Sequence, residues 1–229
     1  MSGASAATDT SIRGALRARL RTQFPGEDDL IIDELGLCQG GARVDLAVIN
    51  GAIHGYEIKG GRDTLHRLPS QQAVYSLVLD RATVVCASRH TENVVQAVPS
   101  WWGIEAVSVA SDRLEFDLVR HALPNPCSDP LAVAQLLWRD EALAALAELE
   151  LDGGLRSQPR RYLFRALVDA LEREELGDLV RRSLKMRTDW RWPVPPASNG
   201  DSFPSAARSS RSRVRLHDGR SARYSGLRR

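Results

Sequence analysis

The fold of this chain is decided by residues 43–59, which read RVDLAVINGAIHGYEIK. Two runs rich in Val, Ile and Leu flank Asn50-Gly51, a dipeptide typical of the turn between paired strands. The pattern predicts an antiparallel hairpin of two strands, over residues 43–50 and 53–59. The register of this hairpin decides whether its polar residues can form one site.

Two loop lengths are compatible with the hairpin. A two-residue turn at Asn50-Gly51 places Asp45 and Glu57 on opposite faces, because side chains alternate along a strand. A three-residue loop over 50–52, with one left-handed residue and a bulge, pairs Asp45 with Glu57. The hydrophobic pattern favours the longer loop. In that register the face opposite to Asp45 and Glu57 is apolar on both strands, with Val44, Leu46 and Val48 aligned with Ile58, Tyr56 and His54.

In that register two carboxylates and an ammonium group meet on one face of the sheet. Asp45 and Glu57 offer the hard oxygen ligands that Mg²⁺ or Mn²⁺ prefers. Lys59 lies two residues after Glu57, on the same face, where it can orient a water and offset charge on a phosphate. The chain has only two lysines, Lys59 and Lys185, in an otherwise arginine-rich sequence, so a lysine here calls for a chemical reason.

Outward from the hairpin, periodicity predicts an α-β-β-β-α-β order followed by further elements. Before it come an amphipathic helix containing Ile12, Leu16 and Leu20, and a strand over 30–37. After it comes a helix over 70–80, with Pro69 at its start and an apolar face of Ala73, Val74, Leu77 and Val78. The remaining predictions are a buried strand, a short helix and two outer strands, over residues 81–87, 92–98, 104–109 and 113–119.

A change of pattern marks a boundary after this region. Residues 121–130 contain three prolines and no apolar periodicity, which predicts a linker after a first domain over 1–120. The sequence beyond it predicts helices only, in an annex over 131–197. Those helices are predicted over residues 131–138, 141–149, 160–174 and 176–186.

Composition predicts a soluble, cytoplasmic globular protein. Hydrophobic residues make up 43% and charged residues 26% of the chain, with no apolar run long enough to span a bilayer and no signal-peptide pattern at the N-terminus. Residues 198–229 hold eight arginines and two aspartates, whereas residues 1–197 carry 23 basic and 27 acidic groups. The sequence therefore predicts a mildly acidic body and a disordered basic tail that can contact phosphates.

The motif residues resemble those of the PD-(D/E)XK nuclease superfamily. Asp45 and the Glu57-Ile58-Lys59 tripeptide match the motif, with Val44 in place of its proline. Glu34 matches an additional acidic residue that contributes to the metal in many members. Gln71 and Tyr75 resemble the Gln-x-x-x-Tyr motif of RecB-like members, whose helix lines the active site.

This resemblance implies a restriction-endonuclease-like α/β core with a mixed sheet, followed by the all-helical annex. It implies a Mg²⁺- or Mn²⁺-dependent deoxyribonuclease. The implied metal ligands are Glu34, Asp45 and Glu57, and the implied catalytic residues are Asp45, Glu57, Lys59, Gln71 and Tyr75. The stretch from Glu57 to Asp80 resembles more closely a family of small bacterial proteins placed in that superfamily, in which Asp63, Arg67 and Asp80 are expected to accompany the motif.

Two further functional interpretations stay open. The first is a PD-(D/E)XK fold that no longer cuts and binds DNA or a protein partner. The second is a helix-turn-helix reader formed by helices 141–149 and 160–174, with a basic face of Arg156, Arg160, Arg161 and Arg165. DNA is the expected partner in the nuclease interpretation, a membrane is not expected, and a homodimer is one arrangement left open.

Overall fold

A six-stranded mixed sheet forms the centre of the protein, in a computed structural model that describes residues 7–111 and 113–187. The strands lie side by side in sequence order. Neighbours are antiparallel except for the two central pairs, β3–β4 and β4–β5, which are parallel. The strands are β1 (Leu30–Leu37), β2 (Ala42–Ile49), β3 (Ile53–Lys59), β4 (Arg81–Ala87), β5 (Gly103–Ala110) and β6 (Arg113–Arg120).

Seven helices accompany the sheet in the described residues, and the α/β class predicted from sequence is confirmed. None of these helices combines the length and apolar character needed to cross a membrane. The predicted tail over 198–229 lies outside the described residues. The helices are α1 (Asp9–Gln23), α2 (Leu68–Val78), α3 (Thr91–Ala97), α4 (Pro130–Ala134), α5 (Arg139–Glu148), α6 (Arg160–Ala170) and α7 (Arg173–Met186).

Several predicted helix boundaries and the place of one strand differ from the structure. The helix expected over 131–138 ends at Ala134, and the helix expected over 160–174 ends at Ala170. The strands over 104–109 and 113–119 were both expected at the outside of the sheet, but β5 lies between β4 and β6, and of these two only β6 is an edge strand.

Each face of the sheet has its own hydrophobic core. On one face, Ile12, Leu16 and Leu20 of α1 are fully buried against a cluster that includes Leu46 and Val85, as their four-residue spacing predicts. On the other face, α2 and α4–α7 pack in one continuous cluster with apolar residues of the sheet. The helices that follow residues 121–130 therefore share a hydrophobic core with the sheet.

The predicted apolar face of α2 is confirmed in part, since Val78 is buried and Val74 packs against the core. Leu77 is 40% exposed and Ala73 is also exposed, whereas Tyr75 is completely buried. The apolar pattern wrongly turned Ala73 and Leu77 inward, whereas Tyr75 is buried with hydrogen bonds to polar groups beneath it, on the side of the helix that faces Glu57. Behind it, the fully buried Trp102 stacks on the Tyr75 ring with 5.8 Å between centroids.

The predicted register of the hairpin is confirmed. Leu46 pairs with Tyr56, so the same register continued by one residue sets Asp45 opposite Glu57. The last pair before the loop is Ile49 with Ile53, which leaves a three-residue loop over 50–52.

The hairpin departs from the prediction at both of its ends. The loop has no left-handed residue and the pairing has no register shift, because the Asn50 side chain accepts a hydrogen bond from the Ala52 N–H and closes the turn. At the other end the ladder stops at Leu46. Val44 was expected on the face of Leu46, but it packs in the opposite core with Ala47, since β2 separates from β3 at this point.

The close packing of side chains around Gly55 can be tested by substitution. A Cβ at Gly55 would lie 2.5 Å from Leu79 Cδ1 and 3.0 Å from Val44 Cγ2. We expect Gly55→Ala to lower the free energy of unfolding by about 1–3 kcal/mol, because the added methyl overpacks this face. Urea denaturation measures the change. Gly51→Ala is the control, since a Cβ there meets nothing within 4 Å; equal stability of the two variants would contradict the packing described.

His54 makes the stability of the fold depend on pH. Its Nε2 lies 2.8 Å from Thr83 Oγ1, and its Nδ1 lies 3.2 Å from the Tyr56 hydroxyl. Burial, assisted by the Arg81 charge, lowers the pKa of His54 to about 4. The unfolded state, with a pKa of about 6.5, binds the proton first as the pH falls, so stability is lost between these two values.

We therefore expect the free energy of unfolding to fall by about 1 kcal/mol per pH unit near pH 5 through this histidine. Denaturation followed by circular dichroism from pH 7 to pH 4 measures the slope. His54→Gln should flatten it, while His66→Gln, in an exposed loop, should not. Parallel profiles for wild type and His54→Gln would rule out this linkage.

Candidate active site

A buried ion pair lies at the end of β3. Lys59 Nζ donates to Glu57 Oε1 over 2.6 Å, and the two residues are only 4% and 3% exposed. Their side chains share a face because they are two positions apart on the strand. A charge pair this deep is stable only when its remaining polar atoms also find partners.

Helix α2 supplies those partners through Gln71 and Tyr75. The Gln71 amide donates to Glu57 Oε1 over 2.6 Å and accepts from Lys59 Nζ over 3.0 Å, so it bridges both members of the pair. The Tyr75 hydroxyl lies 2.5 Å from Glu57 Oε2 and 2.7 Å from the Arg43 carbonyl. Burial and the Glu57 charge raise the pKa of Tyr75 well above its ordinary value, which keeps the hydroxyl protonated as a donor.

Asp45 lies beside this network. Its Oδ2 accepts from the Ile58 N–H over 2.7 Å, in the place where the strand ladder has stopped, and its Oδ1 accepts from Arg13 over 2.6 Å. Burial and the neighbouring Glu57 carboxylate raise the pKa of Asp45 to about 6, and the Ile58 and Arg13 contacts offset only part of that rise. Two carboxylates that disfavour each other's charge are thus held near each other.

Glu34 is placed in the same row but is turned to other partners. It lies between the β1 residues Asp33 and Leu35, which pair with β2 on either side of Asp45. Its backbone has a φ of +58°, an uncommon conformation for a non-glycine residue. The carboxylate is ion-paired with Arg13, and Arg43 lies 3.4 Å away.

The residues fit a divalent ion in part. Among the described residues, no group of three or more His, Cys, Asp or Glu side chains is arranged to hold a metal, so the predicted trio of Glu34, Asp45 and Glu57 is not a ready-made cage. Mg²⁺, however, is usually bound by one or two carboxylates and several waters. Asp45 and Glu57 meet that requirement, and a carboxylate offers about four acceptor positions, of which protein donors use three at Glu57.

The structure adds one side chain that the sequence did not single out. Arg13 of α1 reaches Glu34 and Asp45 and lies 3.6 Å from Asp9. Its spacing of four from Asp9 predicts only a surface pair on the helix. The pattern gives no sign that the end of α1 meets the end of β2, because that contact joins elements far apart in sequence.

Of the residues expected to accompany the motif, two stabilise the backbone around it, and in the described part of the chain none of the three contacts Glu57. Asp63 accepts from the Gly60 N–H over 2.6 Å and shapes the loop after β3. Asp80 accepts from the Ile53 N–H over 2.7 Å at the start of β3. Arg67 is exposed at the start of α2.

Comparison with known proteins matches residues 8–191 of the chain to the family described as Bacteriophage P4 protein cII. A curated relative, protein cII of Enterobacteria phage P4, is 30% identical over 93 residues, which are 41% of this chain and 35% of the relative. The chain thus aligns with about a third of that relative's length. No solved structure matches the chain significantly. The family match contains every helix and strand described above and all of the candidate site, and the chain belongs to the bacteriophage P4 protein cII family.

Proposed function

We propose that this chain is a divalent-metal-dependent nuclease acting on DNA, with a core of the PD-(D/E)XK kind. The observation that carries the proposal is the buried Glu57–Lys59 pair, held by Gln71 and Tyr75 beside Asp45. A hydrophobic interior would be easier to stabilise than this polar network. Charged groups buried together with a perturbed carboxylate are typical of functional sites.

The fold supports the same proposal. Its first six elements follow the order α-β-β-β-α-β, the order implied by the resemblance. Asp45 is on β2, Glu57 and Lys59 are on β3, and Gln71 and Tyr75 are on the helix that follows. The helices over Pro130–Met186 would serve as the annex that supports this core.

In this proposal Asp45 and Glu57 would hold Mg²⁺ or Mn²⁺, with Glu34 available only if it leaves its arginine partners. The ion would supply polarisation of the scissile phosphate and a lowered pKa for a water. The Lys59 ammonium group donates one hydrogen bond to Glu57 and one to Gln71. An ammonium group has three donors, so one can orient a water or a phosphate oxygen.

The remaining side chains fix these groups in place. Gln71 keeps Lys59 next to Glu57, and the single Tyr75 O–H donates toward both the other Glu57 oxygen and the Arg43 carbonyl. DNA would approach from the open side, where the Arg43 side chain is 64% exposed.

A second candidate is a non-cleaving nucleic-acid-binding module. It is favoured by a separate basic surface on α6, where Arg160, Arg161 and Arg165 are exposed and Tyr162 is 47% exposed. Exposed arginines beside an aromatic ring are suited to phosphates and unpaired bases. The two candidates differ in whether the Glu57–Lys59 network has a chemical role.

Plasmid nicking in Mg²⁺ or Mn²⁺ separates these candidates. We expect the full chain to nick DNA, and Lys59→Met to lose at least about 100-fold in rate, since one electrostatic donor at a reacting phosphate is worth that much. Asp45→Asn should lose at least as much. Lys185→Met removes the second lysine of the chain, which is on α7, and should retain full activity.

Circular dichroism of each variant controls for folding, because Lys59→Met leaves Glu57 buried without its cation. Salt-sensitive DNA binding without nicking in wild type would favour the binding module. Equal nicking by wild type and folded Lys59→Met would contradict the proposed role of the lysine.

Gln71 gives a second test of the network. Gln71→Ala should reduce turnover at least tenfold, about 1.4 kcal/mol of transition-state stabilisation, because Lys59 loses the amide that orients it. It should also lower the free energy of unfolding by about 1–3 kcal/mol, since buried partners lose a hydrogen bond. Gln72→Ala, about 100° around the helix, is the matched control in single-turnover assays. Unchanged turnover in Gln71→Ala would return the amide to a purely structural role.

A further inference from the structure

We infer that Arg13 is an internal counter-ion of the candidate site, and that its guanidinium competes with a divalent ion for the Asp45 carboxylate. This inference rests on the proposed function, because it concerns the same carboxylates. It adds a residue outside the motif to the site. It also predicts that the site is held closed against metal by part of the protein itself.

The position of Arg13 is the first argument. Its two terminal nitrogens bind different carboxylates: one is ion-paired with Glu34, and the other lies 2.6 Å from Asp45 Oδ1. The other oxygen of Asp45 already accepts from the Ile58 N–H. Each Asp45 oxygen thus has one protein donor, and an ion bound through Oδ1 would share that oxygen with the guanidinium and lie next to its positive charge.

The backbone of Glu34 is the second argument. A glutamate at φ +58° is in a backbone conformation that is unfavourable relative to an ordinary strand conformation. This conformation turns its carboxylate to Arg13 and Arg43. Glu34 thus binds one terminal nitrogen of the guanidinium while the other contacts Asp45.

The surroundings of the Arg13 side chain on α1 are the third argument. Its side chain is 26% exposed, so the guanidinium is at the rim and not enclosed. Asp9, one turn earlier on the same helix, lies 3.6 Å from it. If a metal ion breaks the contact between Arg13 and Asp45, Arg13 can stay paired with Asp9 and Glu34. Loss of that contact therefore does not leave an unpaired cation.

Calorimetric titration of the full chain with Mn²⁺ in the absence of DNA tests the competition. Arg13→Gln should bind Mn²⁺ about tenfold more tightly than wild type, which is about 1.4 kcal/mol. Arg13→Lys keeps the charge but loses the two-pronged contact, so it should be intermediate. Arg17→Gln is the matched control: it removes an arginine one turn later on α1 that is ion-paired with Asp33, and should leave Mn²⁺ affinity unchanged.

Thermal melting in EDTA and in Mn²⁺ shows that each variant is folded, and Asp45→Asn assigns the binding to this site by abolishing it. Mn²⁺ binding only after Arg13 is replaced would support the competition. Wild-type binding that is unchanged or weakened in both Arg13 variants would overturn the inference while leaving the proposed metal site intact. No Asp45-dependent binding in any variant would overturn both.

Discussion

The Glu57–Lys59 ion pair is the interaction on which the arrangement of this protein depends. Removing two charges from water costs several kcal/mol per ion, and the cost is met only when geometry and hydrogen bonding are good. Here Gln71 spans both charges and Tyr75 binds the second carboxylate oxygen. The pair therefore dictates how α2 packs, because a rotation of that helix would leave Glu57 and Lys59 without partners.

The same constraint extends into the sheet through a backbone group. Beyond Leu46 the β2–β3 ladder ends, and two groups on the separated strands find new partners. The Ile58 N–H donates to the Asp45 carboxylate, and the Arg43 carbonyl accepts a hydrogen bond from the Tyr75 hydroxyl. The strands separate only where side chains can replace the lost backbone hydrogen bonds, as unsatisfied buried groups are costly.

Sequence reasoning anticipated the parts of this arrangement that follow from local periodicity. The alternation of apolar residues was enough to select the register that sets Asp45 opposite Glu57, since the alternative would bury charges in the α1 core. It failed for Val44, because alternation assumes a ladder that continues. It failed in part for the buried face of α2, because it did not take account of the hydrogen bonds of the buried Tyr75. Arg13 was missed because its role depends on a contact between α1 and β2 that no local pattern encodes.

Charge balance connects these observations. Around the site, Asp9, Glu34, Asp45 and Glu57 face Arg13, Arg43 and Lys59, so four negative groups meet three positive ones. A further divalent charge would make the cluster positive, and release of Arg13 from Asp45 would restore the balance near the bound ion. Arg13 would keep its pairs with Asp9 and Glu34, and the excess positive charge of the cluster would favour an approaching phosphate. A site that is nearly neutral without metal can be stable in folding and still accept a charged ligand, and this would make a deeply buried ion pair compatible with the proposed nuclease function.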